Sequence, residues 1–181
     1  MVCGKNAGKH GICRTCTVPY ARAWCVGERS GVLRQVIDSY KFYNNYAAHQ
    51  VLASLLSERI GKLPGDCIIV PIPTVPAHIR QRGYDHMLLV AKKLAKAQGL
   101  PFATPLFRET TTKQRGQDRN ERQVQASRAF GVNGGLRKDA IYVLVDDVVT
   151  TGATLRYAAK ALFDAGAETV WAAAIARQPL D

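Results

Sequence analysis

The sequence is short of acid. It has 14 Asp and Glu against 25 Lys and Arg, a formal net charge of +11 on 181 residues. So lopsided a chain predicts an anionic partner, either a nucleic acid or a phosphorylated small molecule, and composition does not choose between them. No apolar run approaches the roughly 18–20 residues of a membrane-spanning helix, so no transmembrane span is expected. The opening Met1-Val2-Cys3-Gly4-Lys5 has no apolar signal core, which argues against export and makes cytoplasmic residence the expectation. Internal repeats and low-complexity tracts are absent, which sets repeat architectures aside. Charged residues stop at 22% while hydrophobic residues reach 47%, a balance that excludes a disordered chain. The length fits one domain with a core of its own and a small appendage.

Cysteine is scarce except at one end. Cys3, Cys13, Cys16 and Cys25 crowd the first 25 residues, and Cys67 stands apart in the apolar stretch Cys67-Ile68-Ile69-Val70. In a reducing compartment, clustered thiols suit a tetrahedral zinc site better than disulfides. Only Cys13 and Cys16 have the tight two-residue gap of a zinc knuckle, and His10 is an alternative ligand. The other reading leaves these thiols free on a loop-rich arm, with Cys67 a buried strand residue.

Residues 1–28, rich in Gly, Cys and basic side chains, read as the appendage, and 29–181 as the main domain. Helical spacing starts at Gly31 with Val32, Leu33, Val36, Ile37 and Tyr40, and a second helix is predicted over 46–60. Cys67–Ile72 is a continuous apolar run, hence a buried strand. A loop is predicted over 74–84, a helix from Asp85 to Gly99, and strands at 102–107 and 129–132. Residues 109–129 are strongly polar and aperiodic. Ile141–Val145 is the clearest strand, followed by a helix to about Ala165 and a last strand over 169–175. Strands alternating with helices predict an α/β fold with a mainly parallel sheet.

The segment richest in chemistry runs from Val143 to Leu155. An apolar strand delivers Asp146 and Asp147, and a short loop, Val149-Thr150-Thr151-Gly152-Ala153-Thr154, opens a helix. Ligands of open α/β sheets bind outside the carboxyl ends of the strands. Unpaired N–H groups and the positive dipole end of a helix N-terminus suit a phosphate, and a glycine lets the backbone come close to it. The two acids suit the hydroxyls of a sugar carried by that phosphate. A helix cap requires one polar side chain, and here Asp146, Asp147, Thr150, Thr151 and Thr154 converge. The glycine and lysine of a Walker A loop are missing.

This segment resembles the thirteen-residue signature of type I phosphoribosyltransferases: apolar residues, two acids, then T-T-G-x-T. The resemblance implies that Asp146 and Asp147 bind the ribose hydroxyls of phosphoribosyl pyrophosphate (PRPP). It implies that residues Val149 to Thr154 bind the 5-phosphate. Val70-Pro71-Ile72-Pro73 and Arg80-Gln81-Arg82-Gly83-Tyr84-Asp85-His86 resemble the pyrophosphate-loop region of the competence ComF-like proteins. This chain has Asp85-His86 where that family has Asn-Gln. The helix from Leu33-Arg34 to Lys41-Phe42 resembles another family segment. Thr112-Lys113-Gln114, Arg119, Arg122 and Ala129-Phe130 resemble its flexible loop.

The resemblance covers about residues 1–177. It implies a type I phosphoribosyltransferase-like domain with an N-terminal helical hood over 29–64. It also implies displacement of pyrophosphate from PRPP, carried with Mg²⁺, by an unidentified acceptor. Arg80 and Arg82 are then the expected pyrophosphate contacts, catalytic together with the two acids, since guanidinium forks match phosphate oxygens. Lys113, Arg115, Arg119, Arg122 and Arg128 belong to a lid that closes over the leaving group. In the family the N-terminus carries C-x-x-C pairs, and Cys3-Gly4 stands here as half of one, so the arm reads as incomplete. Two other functions remain open: a non-catalytic PRPP sensor, and a competence factor linked to DNA uptake that associates with single-stranded DNA or with proteins of the competence machinery. Assembly into a homo-oligomer is likewise left open. Lys41 reads as a solvated helix residue, and Tyr40, Phe42, Tyr43 and Tyr46 as core or hood packing.

Overall fold

The computed structural model describes residues 18–108 and 129–178. Among the described residues the elements are, in order, β1 (Arg22–Glu28), α1 (Gly31–Phe42), α2 (Ala48–Ile60), β2 (Cys67–Pro71), α3 (Pro76–Arg82), α4 (His86–Gln98), β3 (Leu106–Arg108), β4 (Phe130–Val132), β5 (Ile141–Val149), α5 (Ala153–Asp164) and β6 (Thr169–Arg177). Four strands form one sheet in the order β1-β6-β5-β2, with every pairing parallel. β3 and β4 form a separate antiparallel ribbon.

The alternation of side chains along a strand divides the core in two. Ile69, Val143, Val145, Ala173 and Ile175 pack with α1, α2 and α4 on one face. Val70, Tyr142, Leu144, Ala172 and Ala174 pack with α5 and the β3–β4 ribbon on the other. Because both faces are covered, β2, the Ile141–Val145 part of β5 and the centre of β6 read in the sequence as unbroken apolar runs. The ribbon closes tightly over Gly131, where a Cβ would stand 2.2 Å from the Phe107 ring.

Four features differ from expectation. Residues 22–28, assigned to the appendage, are the edge strand β1, held by backbone pairing to β6 from Arg22↔Trp171 to Glu28↔Arg177. Partial burial on an edge blurs its period, so only Ala23 is fully enclosed. The loop expected over 74–84 contains α3, which starts with Pro76 and stops at Gly83 in the left-handed region; it buries no residue, so it leaves no apolar pattern to read. The strand expected over 102–107 shrinks to β3, and Phe102 makes a single bridge to Ile69, because Pro101 and Pro105 offer no N–H to a ladder. β5 continues past Val145 through both acids, since β6 goes on pairing with it as far as Val149↔Arg177. Cys67 is wholly buried in β2, as one of the two readings held. No helix among the described residues is long and apolar enough to cross a membrane.

Candidate active site

The carboxyl ends of β2 and β5 open into a cavity of about 350 Å³. Its lining includes Lys41 at the end of α1, Thr74 after β2, Arg82 of α3, His86 at the start of α4, Arg108 of β3, both acids of β5 and Thr154 of α5. Six separate elements thus send a polar side chain to one place, which is how open α/β sheets build ligand sites.

Asp146 and Asp147 occupy different surroundings. Asp147 turns to the side of α1 and α4. Its Oδ2 receives the Lys41 ammonium at 2.5 Å and the His86 Nε2 at 2.6 Å. Oδ1 accepts the backbone N–H of Val148. Burial alone would raise this carboxyl, but the His86 hydrogen bond and the Lys41 charge outweigh it and hold Asp147 well below the usual range. Asp146 is 9% exposed, and its Oδ1 accepts the Asp147 backbone N–H at 2.9 Å. Desolvation, then the neighbouring Asp147 charge, push it up to about 7, against weaker help from Lys41 and Arg108. Arg108 is itself anchored, its Nε donating to the Pro73 carbonyl at 2.7 Å while its guanidinium lies over Phe130. One acid is thereby fixed as an anion, and the other sits where a new hydrogen-bond donor or a nearby charge decides its state.

Gly152 opens α5 with φ +72, the left-handed conformation that favours glycine, so the chain turns sharply from strand into helix. Thr154 lines the cavity, Thr150 and Thr151 are exposed beside it, and Thr151 Oγ1 faces the Ala153 N–H at 3.4 Å. Val149 is buried at the end of β5.

The expected residues are only partly gathered. Both acids, Thr154 and Arg82 line the cavity, whereas Arg80 is exposed on α3 and is not part of its lining. Lys113, Arg115, Arg119, Arg122 and Arg128 lie outside the described residues, as do Cys3, Cys13 and Cys16. Cys25 stands on β1 with its thiol facing the Gly27 carbonyl at 3.2 Å, and burial pushes that thiol up. Among the described residues no group of three or more His, Cys, Asp or Glu is placed to hold a metal.

Other site residues were missed in the sequence. Lys41 is not solvated: its side chain is 17% exposed and paired with Asp147. A basic residue in the last turn of an amphipathic helix was the available signal. His86 stood out in the sequence only as a departure from the family's Asn-Gln; its partner Asp147 is 61 residues away. Asp85 caps α4, accepting from the N–H groups of Met87 and Leu88, and also accepts the Thr74 hydroxyl at 2.7 Å. Of the four aromatics near the end of α1, Tyr40 is core and donates to the His86 carbonyl at 2.8 Å. Phe42, Tyr43 and Tyr46 are exposed, and Phe42 lines the cavity under the Arg82 guanidinium.

Comparison with known proteins bears on the same segment. A family model described as the phosphoribosyl transferase domain matches residues 88–180. The chain is similar to competence protein ComFC of Bacillus subtilis (strain 168), with 26% identity over 176 residues, 91% of this chain and 71% of that protein. It is similar to competence protein ComFC of Streptococcus pneumoniae (strain ATCC BAA-255 / R6), with 28% identity over 138 residues, 76% of this chain and 60% of that protein. Among solved structures it resembles an allosteric regulatory enzyme of purine biosynthesis, with a TM-score of 0.54 and 19% identity, over 76% of this chain and 30% of that one. That likeness concerns the fold.

Proposed function

From a chain that belongs to the phosphoribosyl transferase domain family, among its ComF-like members, we propose a protein that binds PRPP at the end of β5 and transfers its ribose 5-phosphate to an acceptor, releasing pyrophosphate. The observation that carries this reading is the junction of β5 and α5. Two acids lie in the last stretch of pairing of β5, a left-handed Gly152 starts the helix, and Thr154 faces the same cavity as Arg82 and Lys41.

Each part has a physical task in this reading. Asp147, kept anionic, accepts hydrogen bonds from the ribose hydroxyls. Asp146 sits where a second hydroxyl or an incoming cation can reset its protonation. The N–H groups at the start of α5 and the hydroxyls of Thr150, Thr151 and Thr154 receive the 5-phosphate. Arg82 and Lys41 place positive charge where pyrophosphate builds up negative charge in an oxocarbenium-like transition state. No covalent nucleophile is required; the protein positions the donor and keeps water from C1. Mg²⁺, when bound with the substrate, would supply positive charge against the pyrophosphate; the Asp147 oxygens, which already hold Lys41, His86 and the Val148 N–H, would leave that ion to the substrate's side of the cavity.

The relatives' names link them to competence, and a role in that process is proposed for this chain. The charge favours a nucleic-acid partner as a second role. Lys41, Arg82 and Arg108 face Asp146 and Asp147 in the cavity, so the site absorbs little of the +11. Titration with Mg–PRPP, followed by a pyrophosphate-release assay across candidate acceptors, tests the proposal. Saturable binding with release supports it, binding without release with any acceptor leaves a sensor, and absence of binding sinks it.

A further inference from the structure

The hydrogen bonds of His86 fix its tautomer. Arg82 Nη1 lies 3.0 Å from His86 Nδ1. A guanidinium only donates, so Nδ1 accepts and carries no proton. The proton of the neutral ring is then on Nε2, which points at Asp147 Oδ2 from 2.6 Å. One imidazole therefore donates to the acid at the ribose end of the cavity and accepts from the arginine at its pyrophosphate end. His86 is 5% exposed, its ring is packed edge-on against Tyr40, and its backbone carbonyl accepts the Tyr40 hydroxyl. It has little freedom to turn.

Resting on the reading above, we infer that His86 is a positioning residue, which as a neutral ring holds Asp147 and Arg82 in register for PRPP and, when protonated, releases Arg82. The local chemistry provides for the released state. Thr74 Oγ1 donates its proton to Asp85 Oδ1 and keeps a lone pair facing Nδ1 at 3.3 Å. A proton taken from solvent onto Nδ1 finds Thr74 as acceptor, while Arg82 loses its partner and meets a like charge. The ring's direct neighbours are Tyr40 of α1, Thr74 after β2, Arg82 of α3 and Asp147 of β5; Lys41 and Asp85 meet it one step removed, through Asp147 and Thr74, and Tyr84 through Tyr40.

The test compares His86→Gln and His86→Ala with the parent protein. A glutamine amide donates from nitrogen and accepts at oxygen, so it offers the same two bonds without titrating. Calorimetric titration with Mg–PRPP at about pH 8 and about pH 5.5 spans the histidine range. Asp146 and the substrate phosphates titrate in every variant, so the inference is read from the parent's loss against that of His86→Gln and not from either alone. Between the two pH values the parent is expected to lose about tenfold more affinity than His86→Gln, and His86→Ala to bind about tenfold more weakly than His86→Gln at the higher pH. Equal losses in parent and His86→Gln, or equal binding by the Ala and Gln variants, would overturn the inference while leaving PRPP binding intact. Failure of all three proteins to bind PRPP would sink the functional reading instead. Nitrogen NMR of the His86 ring then decides the inference alone: a proton on Nε2 with bare Nδ1 at the higher pH supports it, and the opposite tautomer refutes it.

Discussion

At the scale of single residues, the two acids make opposite contributions to stability. Asp146 has a folded pKa raised to about 7 by burial and by Asp147. The folded state binds the Asp146 proton more tightly than the unfolded chain does. Its contribution is therefore fully present below about pH 4 and lost as pH rises through about 7. Asp146→Asn removes this dependence. It is expected to stabilise the free protein on the order of 2–4 kcal/mol at pH 8 and by little at pH 4, read from urea unfolding at the two pH values. Asp147 behaves in reverse, because burial, which would raise it, is outweighed by His86 and Lys41. Its contribution is present above the ordinary carboxylate range and lost as pH falls through the depressed folded value. Lys41→Met leaves Asp147 with His86 and the Val148 N–H but no charged partner of fixed sign. The expected result is a loss of about 3 kcal/mol near neutral pH and an acid-unfolding midpoint at higher pH, followed by circular dichroism. A variant that unfolds at the parent's pH would show that the Lys41 pair contributes nothing.

At the scale of elements, the helix that carries His86 is held at its start by one side chain. Asp85 accepts from Met87 N and Leu88 N at 3.0 and 3.1 Å and also takes the Thr74 hydroxyl. Asp85→Ala is expected to cost about 1–2 kcal/mol and lower Tm by roughly 3–6 °C, while Asp85→Asn, still a good cap, should keep most of that. Calorimetry separates the two variants, and equal Tm values for them would contradict the capping role. Helices α2 and α4 and strands β2, β5 and β6 were legible because each buries an apolar stripe or run. β1 and α3 were not, since one is a partly exposed edge and the other buries nothing. The acids were legible through their strand-turn-helix context. The roles of Lys41, His86 and Arg108 were not, because Asp147 and the Pro73 carbonyl that they meet come from distant parts of the chain and local spacing carries no trace of that.

At the scale of the whole molecule, the architecture explains why the site stands where it does. A fully parallel sheet sends the carboxyl ends of β2 and β5 to the same edge, so the turn after β2, the start of α4 and the start of α5 meet there. The positive charge spread over the rest of the chain has a separate consequence. If nucleic acid is a second partner, retention of a single-stranded oligonucleotide on filters should fall linearly with log salt, and a flat response would argue against phosphate contacts. The central claim concerns one ligand in one place, and a crystal structure of the protein soaked with PRPP and Mg²⁺ tests it most directly. The account predicts ribose hydroxyls within hydrogen-bonding distance of Asp146 and Asp147, the 5-phosphate against residues 150–154, and pyrophosphate beside Arg82. PRPP bound elsewhere, or a cavity left without it at saturating concentration, would contradict the account.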